Sequence, residues 1–230
     1  MIGWIAEHTG LPSLYITTLG AVYAGDRLLV APDTVPALVS DPLAPLGTPV
    51  VYRQGATTVT LTGADPGYHM VVSSDGRTAA RIALLGDDGT TQGSGLSLFE
   101  PDSDHEDIPQ WGRIPSPHGS LACRTAGIHT ARLLSMVKSR APLVSFHSPA
   151  ACEIPGCDIP PVRAFVAGES SYQRTGTVLE ARRVWSIPWT GYTPAGWSAP
   201  VVTWGEYEAA SAGWTQESYV EICQRIAGMP

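Results

Sequence analysis

The residues of this chain best equipped for chemistry are its four cysteines, Cys123, Cys152, Cys157 and Cys223, and the histidines near them. Four thiols can pair in three ways or gather on one metal ion. Only Cys152 and Cys157 are close in sequence, and the gap between them is at the loose end of zinc-ligand spacing. Buried free thiols are the favoured reading, since cysteine is among the most buried residue types. A four-thiolate zinc or iron–sulfur site ranks second, and a disulfide third. His147 precedes both close thiols, but the loop Cys152-Glu153-Ile154-Pro155-Gly156-Cys157-Asp158 is not a helix N-terminus of the kind that lowers a thiol pKa. His129 and His147 lack a third ligand at a useful spacing, so both are expected at the surface or at a sheet edge.

A second group of polar residues, Glu100-Pro101-Asp102-Ser103-Asp104-His105-Glu106-Asp107, has the oxygen ligands that hard cations prefer. It lacks the glycine turn and terminal glutamate of a calcium loop, so a solvated acidic connection is the better reading. Gln92-Gly93-Ser94-Gly95-Leu96 is not a Gly-x-Ser-x-Gly nucleophile elbow, and no phosphate-binding or dinucleotide-binding glycine motif occurs. No catalytic constellation emerges, and the chain is expected not to be an enzyme.

The elements around these residues are mostly strands. The 230 residues contain 24 glycines and 20 prolines and carry a net charge of −7. Such a composition favours short strands and turns. The acidic balance and the scattered basic residues argue against sequence-specific nucleic-acid binding. No segment approaches the roughly 18 to 20 apolar residues of a membrane span. Glu7 and His8 interrupt the first apolar run, so no secretory signal is expected.

Residues Leu14 to Val22 and Arg27 to Val30 read as strands joined at Ala24-Gly25-Asp26. Val50 to Arg53, Thr57 to Leu61, His69 to Ser73 and Ala80 to Leu85 follow, separated by glycine turns and closed by Asp87-Asp88-Gly89. This regular spacing predicts an antiparallel β-sandwich over residues 1–100, with no helix of consequence before about residue 120. Residues 101–119 form the acidic, proline-rich connector. Ile128, Ala131, Leu134 and Val137 then recur at helical spacing and predict one amphipathic helix from about Thr125 to Lys138. Leu143 to His147 and Val162 to Val166 read as strands.

From Thr177 to Trp189, Leu179, Ala181, Trp185, Ile187 and Trp189 alternate with Glu180, Arg182, Ser186 and Pro188, which predicts a strand with one buried face. Arg183 shares that face and must find an acidic partner or reach solvent. Thr203-Trp204-Gly205-Glu206 has the form of a capping box, and Tyr219, Ile222, Cys223 and Ile226 follow helical spacing, so the tail is expected to be helical. The fold class is thus mainly β (α+β), with residues 120–230 as a second sandwich that carries a flanking helix and a C-terminal helical segment.

The phrase Asp41-Pro42-Leu43-Ala44-Pro45-Leu46-Gly47-Thr48-Pro49-Val50-Val51-Tyr52 resembles one found in minor tail proteins of long-tailed bacteriophages that infect actinobacteria. The helix, the Leu143 to His147 strand, the loop Ile154-Pro155-Gly156-Cys157-Asp158-Ile159-Pro160-Pro161, the strand from Arg182 to Pro188 and the Thr203-Trp204 segment are similar to those proteins in the same order. The resemblance implies a distal-tail-like structural protein of the virion's tail tip, assembled in the host cytoplasm. It also implies a tail-tube-like β-sandwich in the second half.

Its implied partners are copies of itself in a ring, the tail tube protein, and the hub or tape-measure protein. No cofactor is expected on this reading. Ring subunits need aromatic anchors and sheet edges at their seams. Arg183, Trp197, Trp204, Trp214 and Tyr219 are the expected interface residues, while Trp185 and Trp189 are expected in the core. The alternative is a host-surface carbohydrate-binding module, but Trp4, Tyr15, Tyr23, Tyr52, Tyr68 and Phe99 are not clustered in the sequence.

Overall fold

The computed structural model describes residues 1–32, 37–91, 96–99, 108–111, 116–176, 182–192 and 202–203. The protein is mainly β. Seven strands lead the chain: β1 (Ile2–Ile5), β2 (Pro12–Ile16), β3 (Val22–Ala24), β4 (Arg27–Val30), β5 (Ala37–Ser40), β6 (Pro49–Gln54) and β7 (Thr57–Thr62). The expected strand from Leu14 to Val22 is two strands in two different sheets. The chain turns between them at Gly20, whose φ of 140° suits glycine, and Gln54 holds the bend by donating to the Thr18 carbonyl at 2.6 Å. Gly25, at φ 58°, makes the expected tight hairpin between β3 and β4.

One sheet has the order β4-β3-β6-β7, and β1, β2 and β5 lie in the other. Leu14, Ile16, Val22, Leu29, Val30, Val39 and Tyr52 are buried together in a shared core. A Cβ on Gly3 would sit 2.9 Å from side-chain carbons of both Val59 and Leu61, so glycine is what lets β1 lie against β7. Asp41, fully buried, ties the layers: both its oxygens accept from Arg27 at 2.6 Å, and Tyr52 donates to it at 3.0 Å.

The next strands are β8 (Met70–Ser73), β9 (Ala79–Arg81), β10 (Ala83–Thr91), β11 (Leu96–Phe99), β12 (Ile108–Trp111) and β13 (His118–Thr125). The helix α1 (Ile128–Ser139) follows, then β14 (Leu143–Phe146), β15 (Val162–Ala167), β16 (Ser171–Thr175), β17 (Arg182–Gly191) and β18 (Val202–Thr203). The largest sheet runs β10-β13-β17-β15-β14-β8-β9, with β16 also on β17. Its first and last strands are successive in the chain and separated by Ile82 alone, so the sheet curls back on itself. Ile82, Leu121, Cys123, Leu133, Met136, Phe165, Trp185 and Ile187 fill the interior together with one face of α1.

The division expected at residue 100 does not follow the sheets. β8 pairs with β14 and β10 pairs with β13, so residues 70–91 belong with the later strands. β8 is buried on both faces: Val71 enters the large core, while Met70 and Val72 join Leu11, Val144 and Phe146 in another. A strand covered on both sides reads as a continuous apolar run. Asp87-Asp88-Gly89, expected as a turn, lies within β10 and is accommodated by register shifts against β13. The 101–119 connector contains β12, which pairs with β11, and the start of β13. The acidic run 100–107, with His105 in it, lies outside the described residues.

β17 has the expected alternation, with Trp185, Ile187 and Trp189 buried. It is not an edge, because β13 pairs along one side and β15 and β16 share the other. Pro188 fits because its carbonyl faces Gly168, accepting at 2.7 Å, in the gap between the last β15 pair and the first β16 pair. Its missing N–H therefore falls where no ladder bond is due. Thr203, read as a helix cap, ends β18 and pairs with Ala37. The expected C-terminal helices lie outside the described residues, as do Trp197, Trp204, Trp214, Tyr219 and Cys223.

Candidate metal centre

His147, Cys152 and Cys157 place a ring nitrogen and two sulfurs within 4.8 Å of one another. Local chain geometry brings them there. His147 follows directly on β14, and its N–H donates to Pro161 O at 2.9 Å. Ser148 then caps a short 3-10 turn, Pro149–Ala151, by accepting from the Ala151 N–H at 3.1 Å. That turn delivers Cys152. Ile154-Pro155-Gly156-Cys157 next forms a β-turn closed by Cys157 N–H to Ile154 O at 3.3 Å, with Gly156 at φ 69°. Proline followed by a positive-φ glycine is the type II arrangement. It sends the chain back so that Cys157 Sγ lies 3.3 Å from His147 Nε2.

A second layer holds the imidazole. His147 is buried and stacks on His69, with ring centroids 4.6 Å apart. His69 Nδ1 accepts from the Ser148 N–H at 3.2 Å. Burial and the neighbouring His147 hold His69 below its ordinary pKa, against the pull of Asp65 and a hydrogen bond at Ala151. Asp65 accepts from the Gly67 and Ala150 N–H groups at 2.9 and 3.1 Å. Partial burial opposes its ionisation, but these bonds, the Ser148 hydroxyl and His69 prevail and hold its carboxyl below the usual value.

The pKa of the Cys157 thiol is raised. A backbone hydrogen bond at Ile159 lowers it, but desolvation, the Cys152 thiol and Asp158 together push it up. A thiol kept protonated is a poor nucleophile. The same atoms are good soft ligands once a cation displaces the protons. Zinc bonds of about 2.0–2.3 Å place tetrahedral donors roughly 3.5–3.8 Å apart, so small side-chain rotations close the set. Two sulfurs and one nitrogen suit zinc with a fourth position left for another donor, whereas an iron–sulfur cluster takes four thiolates.

The sequence placed the candidate ligands only partly. Cys123 is fully buried under Trp185 and Leu121, a core thiol whose pKa burial pushes up to about 12, and it is no part of the centre. Cys152 and Cys157 are half-buried free thiols, not buried ones. His147, expected at the surface or at a sheet edge, is instead buried and joins Cys152 and Cys157 in the candidate set; its signal was a histidine ending a strand ahead of two cysteines that flank a Pro-Gly turn. His129 is half-buried, and its Nδ1 accepts from the Arg81 N–H at 3.3 Å.

Arg183 is half-buried and makes no ion pair among the described residues. Its guanidinium lies 4.5 Å from the Tyr172 ring centroid, and that ring packs on Trp185. Delocalised charge over an aromatic face replaces the expected ion pair. The chain matches no protein-family model and no curated protein.

Proposed function

We propose that this protein is a structural, non-enzymatic subunit that assembles with copies of itself, as a ring component of the tail tip of a long-tailed bacteriophage. The observation that carries the assembly reading is β7. It ends its sheet, pairs with β6 over all six residues without a shift, and contains no charged residue and no proline. Val59 and Leu61 face Gly3, while Thr58, Thr60 and Thr62 are exposed. Soluble proteins guard such edges with charge, proline or bulges, and an unguarded edge is a template for another strand. The tail-tip context rests on the resemblance of the Asp41–Tyr52 and Arg182–Pro188 phrases.

Within this role His147, Cys152 and Cys157 hold a zinc ion as a clip on the loop after β14. The carbohydrate-binding alternative has less support, since Tyr52 is fully buried and Arg81 covers one face of Tyr68 at 4.7 Å. Light scattering and electron microscopy of the purified chain are expected to show closed oligomers. Thr60→Lys, at an exposed edge position, is expected to leave monomers with an unchanged circular dichroism spectrum. A wild-type monomer at all concentrations that binds cell-wall glycans would overturn the proposal in favour of the alternative.

A further inference from the structure

A cleft of about 400 Å³ opens where the β9–β10 junction meets the end of β13, the start of β17 and the first turn of α1. Arg81, Arg124 and Arg182 line it together with His129, His69 and Tyr68. Among the described residues no Asp or Glu lines it, although the chain as a whole carries a net charge of −7. Arg81 and Arg124 bring two guanidinium groups to one cleft with no carboxylate among its described lining residues, an arrangement that favours an anion between them.

The donors are prepared for that anion. Arg81 lies 4.7 Å from the Tyr68 ring centroid, which gives its planar fork a shelf. Tyr68 is itself fixed by donating its hydroxyl hydrogen to the His8 carbonyl. His129 Nδ1 accepts the Arg81 backbone N–H, so in the neutral ring the remaining proton sits on Nε2 as a donor. Gly127, the N-cap of α1, supplies no side-chain cap, and the first turn has no acidic residue. The positive end of the helix dipole at this rim is therefore not offset by a carboxylate of its own first turn.

We propose that this cleft binds a phosphate-bearing small molecule, its phosphoryl oxygens held by Arg81 and Arg124. A single carboxylate would occupy one guanidinium fork, whereas a phosphate presents three oxygens and about two negative charges to several. A volume of about 400 Å³ exceeds what one phosphate needs and lies in the range of small-ligand sites. The site is separate from the assembly edge and does not depend on it.

Calorimetric titration of the full-length protein with pyrophosphate and with glycerol 3-phosphate, at constant ionic strength, tests the proposal. Saturable one-to-one binding of at least one probe is expected, weakened tenfold or more by Arg81→Gln and by Arg124→Gln. Arg53→Gln, a change at an exposed arginine outside the cleft, is expected to leave it unchanged. Arg124 is on the exposed face of β13, so its variant remains informative if Arg81→Gln fails to fold. No saturable binding of either probe, unchanged binding in Arg124→Gln, or equal loss in Arg53→Gln would each overturn it. Tighter binding of pyrophosphate than of glycerol 3-phosphate would assign a diphosphate group, and the reverse order a phosphate monoester.

Discussion

At the scale of single residues, the most consequential side chain in the first half is Asp41. It is fully buried, and it satisfies Arg27, Tyr52 and the Leu43 N–H at once. Asp41 and Tyr52 are also the two ends of the Asp41–Tyr52 phrase, and one buried contact joins them. Removing one member of such a network leaves the other charge and donors without their acceptor. Asp41→Ala is expected to lower stability by about 3 kcal/mol, read as a shift of the urea midpoint with little change in slope. Arg183 taught the complementary lesson. Its place on the Trp face was legible from alternation, but its partner was not, because Tyr172 comes from β16, a strand that no pattern had indicated.

At the scale of elements, the Pro149–Cys157 loop carries two of the three candidate metal ligands. Its 3-10 turn and its Pro155-Gly156 turn set the directions of Cys152 and Cys157, and neither has a regular ladder to support it. Gly156 has open space around a notional Cβ, so only its φ of 69° requires glycine. Gly156→Ala is expected to cost the turn about 1 kcal/mol. In competition with a chromophoric chelator, zinc affinity should fall about fivefold in Gly156→Ala and by far more in Cys157→Ser. Cys123→Ala should leave it unchanged. Zinc affinity equal in all three variants would dissociate the loop from metal binding. Prolines and glycines marked this loop in the sequence, but the histidine–cysteine cluster was hidden because His147 reaches it only after β14 is seated between β8 and β15.

For the whole molecule, the two cores make stability fall at alkaline pH. Burial pushes Cys123 from an ordinary 9.0 to about 12. Burial and Asp41 also hold the Tyr52 hydroxyl well above its usual value, against Arg27. Both groups keep protons in the folded state that the unfolded chain releases, so their contribution is complete below about pH 9 and is lost as pH rises. At pH 10.5 the Cys123 share of the loss should be about 2 kcal/mol, and Cys123→Ala should remove that share from the pH dependence of the urea midpoint.

By itself the sequence determined the mainly β class, the tight hairpins, the helix α1 and the buried face of β17. Each follows from local chemistry: period-two or helical burial, β-branched residues, and glycine at positive φ. Tertiary structure alone decided that β8 to β10 join the later strands, that His147 and not Cys123 lies beside Cys152 and Cys157, and that three arginines far apart in the chain meet in one cleft. Those outcomes depend on long-range strand pairing and on which side chains it brings within bonding distance, a choice among registers that local patterns do not encode.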